Sequence, residues 1–330
     1  QQHRQEMERL VRDCRRVAAQ YSPRNELPNV SRLDAGTAEL LASFRVELAS
    51  SADLVQQFVA VWTPAQLDSH RRACTALHRI VREAFDLAAD HLRGGREIDE
   101  YRIMKFILES FARSGLHTEA DPIVGVNAHA ADRLAPAQRF GPHRPADLRS
   151  PQEHAQLQQQ QLVIRQPPVR RGDFLLIDLW AKEKAEGSIY VDITWRGVCA
   201  ASPTDRHQEI WTVARDARDA GIDLVRSRWP STPVRGYEVD DAVREVIRKA
   251  GYGDQFIHRT GHSIGVSDHG QGANMDNLET HDTRRLIAMT GFSIEPGIYL
   301  PGEFGVRTEV NMALTPTGAA DGTYTFAAVP

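Results

Sequence analysis

Stretches with apolar residues at helical spacing alternate along the chain with short, almost continuous apolar runs of strand type. Residues 4 to 20 place Leu10, Val11, Val17 and Ala18 on one side of a charged helix, which YSPRNELPN breaks. TAELLASF then reads as a helix, RVELAS as a short strand and SADLVQQFVAVW as a further helix. So little strand cannot close a domain, so residues 1 to 62 are expected to be an appendage to the rest of the chain.

From Thr63 the periodicity strengthens. Thr63 is a cap with Pro64 at the first helical position, and Leu67, Cys74, Leu77, Ile80, Val81 and Phe85 recur on one helical face until Gly94 and Gly95 stop it. IDEYRIMKFILESFARSG predicts a second helix ending at Gly115, and DPIVGVN predicts the first strand of a sheet. Residues 128 to 169, with the glutamine run 156 to 161, read as a surface loop or insertion. RRGDFLLIDLWAK and GSIYVDITWRG are strand patterns joined by the charged turn KEKAEG. Helices come next at DRHQEIWTVARDARDAGIDLVRS and EVDDAVREVIRKAG, and strands at FIHRTGHSIG, GFSIEPGIYL and GVRTEVNMAL. Two helices then strands, twice over, predict an α+β fold of two similar halves, and a site between them would draw residues from both.

Composition narrows the function. With 40 Lys+Arg against 44 Asp+Glu and a formal net charge of -4, nothing points to nucleic acid or an anionic membrane. Cys14, Cys74 and Cys199 are odd in number and far apart, which fits neither a disulfide framework nor a cysteine zinc site, and a cytoplasmic setting is expected. No apolar stretch reaches the length of a membrane span, and the polar start QQHRQEMERL is unlike a signal peptide.

Against this background five residues stand out: Asp178, Asp192, His262, Glu295 and Glu309, each framed by apolar or glycine-rich sequence. An unpaired buried carboxylate is costly, so each needs a cation or several donors. Either aspartate alone reads equally well as a strand end facing solvent. His258, His262 and His269 lie at intervals of 4 and 7, and in a strand the first two would share a face. Four carboxylates and one imidazole form the ligand set that holds two divalent cations side by side.

The ordered motifs IDLWAK, VDIT, GHSIG, SIEPGIY and RTE resemble those of the pita-bread metallopeptidases, which include methionine aminopeptidase, aminopeptidase P, prolidase and the metal-free relative creatinase. SIEPGIYLPGEFGVRTE is close to the Xaa-Pro branch, and residues 63 to 330 would be its catalytic domain. Residues 1 to 62 would be the remnant of a creatinase-like N-terminal domain with a linker helix. The resemblance implies two divalent ions, manganese first among Mn, Co, Zn and Fe. Asp178 would hold one, Asp192 and Glu309 would bridge both, and His262 and Glu295 would complete the second. It implies a bridging water as nucleophile and Glu295 as proton shuttle. His258 and His269 would be stabilisers of substrate and intermediate, and Arg307 an anchor for a carboxylate or the substrate. The expected substrate is a peptide with proline second, the expected assembly a homodimer. The rival readings are a non-catalytic binding module on the same scaffold and a creatinase-type C–N hydrolase. Asp178 and Asp192 are 14 apart, more than is usual in the family, so the KEKAEGS turn must lengthen without displacing the ligands. The family's Pro-His pair is missing from ADRLAP and is found only at Pro142 and His143.

Overall fold

The computed structural model describes residues 2 to 131 and 168 to 316, and the backbone of 318 to 321. The 128 to 169 insertion, with Pro142 and His143, therefore lies almost wholly outside the described residues.

After the short helices α2 (Ala35–Ser43) and α3 (Ala52–Val59), the long helix α4 (Pro64–Arg93) begins where the sequence signals it, with a reciprocal cap between Thr63 and Gln66. Its buried face, with α5 (Glu100–Arg113), packs on the sheet formed by β3 (Leu116–His117), β4 (Ile123–Val126), β5 (Phe174–Glu183) and β6 (Val191–Val198). β5 is central: β3 and β4 pair with one edge and β6 with the other, all antiparallel.

The second half repeats the plan. Helices α6 (Asp205–Arg228) and α7 (Gly236–Lys249) cover β7 (Ser263–Ile264), β8 (Gly291–Ile294), β9 (Gly297–Leu300), β10 (Phe304–Arg307) and β11 (Val310–Thr315). β7, β8 and β11 form one antiparallel sheet, extended by β12 (Gly318–Asp321), and β9 and β10 form a hairpin. The halves meet at β6 and β11. There Asn311 accepts from the Asp192 N–H (3.0 Å) and donates to the Asp192 carbonyl (2.7 Å), completing the buried backbone of that residue.

Two expectations need correction. The helix predicted over residues 4 to 20 ends early, as α1 (Gln2–Val11), and β1 (Arg16–Ala19) comes after it. Val17 and Ala18 pair in parallel with Leu48 and Ala49 of β2 (Glu47–Ser50), and Val17 packs on Val11, Leu41 and Val46, so long-range pairing overrides local helical spacing. FIHRTGHSIG forms a regular strand only at Ser263 and Ile264. Upstream its backbone is held by Asp240, which accepts from Thr260 N–H, and by Met275, which exchanges hydrogen bonds with Gly261. A side chain at Gly261 would collide with the Ser293 carbonyl, so glycine permits the close approach to β8.

The lengthened turn also finds its place. Register puts Asp178 opposite Thr194 and Trp180 opposite Asp192, so the two aspartates share one face, and the extra residues fall beyond the paired region. Gln66 donates to the Gly187 carbonyl, while Ile189 and Tyr190 are buried with Trp62, Leu67 and Ile264. Burying such side chains is worth about 1.5 to 3 kcal/mol each. The longer turn thus ties the segment before α4 to both halves and leaves the ligand register intact.

Candidate metal centre

A cavity of about 550 Å³ opens between the halves, and Asp178, Asp192, His258, His262, His269, Glu295 and Arg307 all line it. Glu309 lies directly behind, buried and joined to the same cluster through Thr194. Every site residue expected from the sequence therefore converges here, the histidines, glutamates and Arg307 of the second half meeting the two aspartates of the first.

The hydrogen-bond inventory of the cluster does not close without a cation. Thr194 Oγ1 lies 2.9 Å from Asp178 Oδ1 and 2.8 Å from Glu309 Oε2, yet a hydroxyl has one proton to donate. Asp192 Oδ1 and Glu309 Oε1 are buried with no hydrogen-bond partner. His262 Nδ1 faces the Ser263 carbonyl at 3.0 Å, an acceptor, so that nitrogen carries the proton. Its Nε2 then directs a lone pair at Asp192 Oδ2 (3.4 Å) and Glu295 Oε1 (3.5 Å). Burial lowers the basicity of His262, although Glu295 and the Ser263 carbonyl oppose the shift. A neutral imidazole between two carboxylates is repulsive unless a positive ion takes the place of a proton.

Electrostatics agree. Burial, then the charges of Glu309 and Asp268, push Asp192 well above the ordinary carboxylate range. Burial, then Glu295 and Asp178, do the same to Glu309. Burial also raises Asp178, against the pull of Arg307. Glu295 differs: burial would raise it, but His262, Arg307, His258 and the Ser293 hydroxyl hold it below its usual value. Of these, the direct contact is the 2.9 Å hydrogen bond that the Ser293 hydroxyl donates to Glu295. Ligand oxygens and nitrogen of Asp192, His262 and Glu309 come within 4.8 Å of one another, so the donor set fits a hard divalent cation.

The remaining residues take specific places. Arg307 pairs with Asp178 through Nη2 and donates from Nε to Thr194 at 2.9 Å, so of the four acids it touches Asp178. His258 is bonded on both sides, Nδ1 to the Arg259 carbonyl (2.7 Å) and Nε2 to the Tyr299 hydroxyl (2.8 Å). His269 packs against His262, with ring centroids 4.1 Å apart and ring planes tilted by 40°, and is exposed at the cavity. Sequence reading missed Thr194, Ser293, Tyr299, Asp268 and His129. Thr194 lies two residues from Asp192 on one strand and Ser293 two residues before Glu295 in extended chain, where side chains share a face, and that signal was available. His129 reaches the cavity wall from residues 127 to 131, where Glu100, fully buried, accepts from its Nδ1 at 2.8 Å and from Val126 N–H at 2.7 Å.

The profile of metallopeptidase family M24 matches residues 68 to 316, and the chain belongs to that family. Among curated relatives it is 35% identical over 157 residues to an Xaa-Pro dipeptidase of Lactobacillus delbrueckii subsp. lactis, covering 48% of this chain and 39% of that protein. To the Xaa-Pro dipeptidase of Pyrococcus furiosus it is 33% identical over 151 residues, covering 46% of this chain and 40% of that one. The aligned part thus spans about two fifths of these relatives' length. In structure it resembles the prolidase of Pyrococcus furiosus (TM-score 0.61, 23% identity, 89% of this chain and 74% of that one). It also resembles the X-Pro aminopeptidase of Thermotoga maritima (TM-score 0.59, 22% identity, 96% of this chain and 76% of that one). The fold is the pita-bread α+β fold expected from the motifs. Among the described residues no helix is long and apolar enough to cross a membrane.

Proposed function

We propose that the protein is a dinuclear-metal exopeptidase that hydrolyses the bond between an N-terminal residue and a following proline, in the manner of aminopeptidase P or prolidase. The observation that carries the reading is the unprotonated His262 Nε2 facing Asp192 and Glu295 beside two unpartnered carboxylate oxygens. The naming of several curated relatives as Xaa-Pro dipeptidases supports the substrate class.

In this reading Asp178, Asp192, His262, Glu295 and Glu309 hold two divalent ions, manganese first, with cobalt, zinc or iron as alternatives. Such ions supply Lewis acidity and make a water acidic enough to act as nucleophile near neutral pH. The protein's own groups do the rest. Glu295, steadied by Ser293, accepts the proton of the attacking water and returns it to the leaving proline nitrogen. His269, exposed in the cavity, donates to the developing oxyanion, and the His258–Tyr299 pair shapes the wall beside it. Arg307 and Thr194 fix Asp178 in position.

The test is hydrolysis of Ala-Pro and longer Xaa-Pro peptides by protein reconstituted with each metal. Activity should require metal and fall at least about a thousandfold in Asp192→Ala. Full activity in that variant, or after exhaustive chelation, would refute the reading.

A further inference from the structure

Asp268 lines the same cavity and has no part in the roles above. Its Oδ1 is shut off from solvent and has no hydrogen-bond partner. The nearest basic atom is His269 Nε2, 3.9 Å from Oδ2 and beyond hydrogen-bonding distance, and no lysine or arginine among the described residues pairs with it. Arg307, the cavity's deep cation, is already taken up by Asp178 and Thr194. Arg259 at the wall turns instead to Glu279 and His269, at 3.3 Å each. A mostly buried carboxylate that no side chain neutralises either keeps its proton, which burial and the charges of Asp178 and Glu295 favour, or exchanges it for a cation from outside the chain.

Two kinds of cation can reach it. A metal ion is one, because Asp268 groups with His262 and His269. The geometry favours the other, since His262 Nε2 is already directed at Asp192 and Glu295, away from a separate site. In a peptide cut before proline, every positive charge near the scissile bond belongs to the first residue. The proline side offers a tertiary amide nitrogen and, in a dipeptide, a carboxylate that Asp268 would repel.

We infer that Asp268 is a specificity-determining residue that receives a positive group of the substrate's N-terminal residue, either its α-ammonium or a lysine or arginine side chain. The inference rests on the exopeptidase reading. A charge-assisted contact of this type corresponds to about 10- to 100-fold in affinity or kcat/KM.

The experiment uses metal-loaded wild-type protein and Asp268→Asn, which keeps shape and removes charge, with metal content measured in both. Hydrolysis of Lys-Pro is compared with that of norleucine-Pro, its uncharged counterpart. Calorimetric binding of lysinamide, norleucinamide, alaninamide and propionamide gives a readout independent of turnover. If the side chain is the ligand, the preference of the wild type for lysine over norleucine, about 10- to 100-fold, collapses to within about 2-fold in the variant. If the α-ammonium is the ligand, both dipeptides lose about 10- to 100-fold together and alaninamide binding weakens while propionamide binding stays the same. Unchanged ratios and affinities, or losses that track the departure of a metal ion, would overturn the inference. Binding of the amides without any cleavage of Xaa-Pro bonds would instead count against the exopeptidase reading alone.

Discussion

Asn311→Leu is predicted to weaken both the fold and the metal centre, because Asn311 is the staple between the two halves at Asp192. The side chain is buried, and its amide closes both backbone groups of Asp192, at 3.0 and 2.7 Å. Leucine matches the volume and removes both bonds, leaving a buried N–H and a buried carbonyl without partners. Each such orphan costs about 1 to 3 kcal/mol, so the summed loss is about 2 to 5 kcal/mol once the added apolar contact is allowed for. For a domain of this size that lowers Tm by about 5 to 20 °C. Because Asp192 would also lose its fixed position, affinity for divalent ions should fall about 10- to 100-fold. Urea denaturation of metal-free protein reads the first effect, and titration with manganese reads the second. A metal-free variant as stable as the wild type would refute the staple, and unchanged affinity would separate Asn311 from the site.

Other outcomes rest on the same contacts. Burial and mutual repulsion raise Asp192 and Glu309 above their ordinary values of 3.8 and 4.5 in the metal-free fold. The folded state therefore holds more protons than the unfolded one above those values, so metal-free protein should lose stability as pH rises from about 5 to 8. Saturating manganese should abolish most of that slope, and urea midpoints across this range check both limbs. Gly261→Ala should destabilise by about 3 kcal/mol or more, since its methyl group meets the Ser293 carbonyl; a variant with wild-type Tm would contradict the close approach. Glu295→Gln should lower kcat by about a hundredfold or more, as measured by stopped-time assays on Ala-Pro. Tyr299→Phe removes the hydrogen bond to His258 Nε2 and should change KM or kcat by about 10-fold with metal content unchanged, measured by the same assay with metal analysis.

The sequence disclosed the helices and the ligands for different physical reasons. Capped, amphipathic segments such as Pro64–Arg93 carry their boundaries locally, in Thr63, Pro64 and Gly94, and they appear where the pattern places them. Asp178, Asp192, Glu295 and Glu309 were visible because acids in apolar strands are expensive; the first three line the cavity and Glu309 is buried beside them. Non-local features were hidden. Nothing near Val17 announces its parallel partner Leu48, and nothing near His258 shows that Asp240 and Met275 will take over the backbone of its segment. Asn311 was equally opaque, because an asparagine in a strand has meaning only once the residue it bridges to is known. The lengthened turn after Asp178 illustrates the converse: spacing along the chain raised an alarm that the strand register removes.

Asp178, Asp192, His262, Glu295 and Glu309 are proposed to form one two-metal site. Metal analysis of the purified, reconstituted chain tests it most directly. About two divalent ions per wild-type chain are expected, with a loss of at least one in Asp192→Ala at unchanged fold, as judged by circular dichroism. A folded wild-type chain that takes up no divalent ion, or an Asp192→Ala chain that retains both, would contradict it.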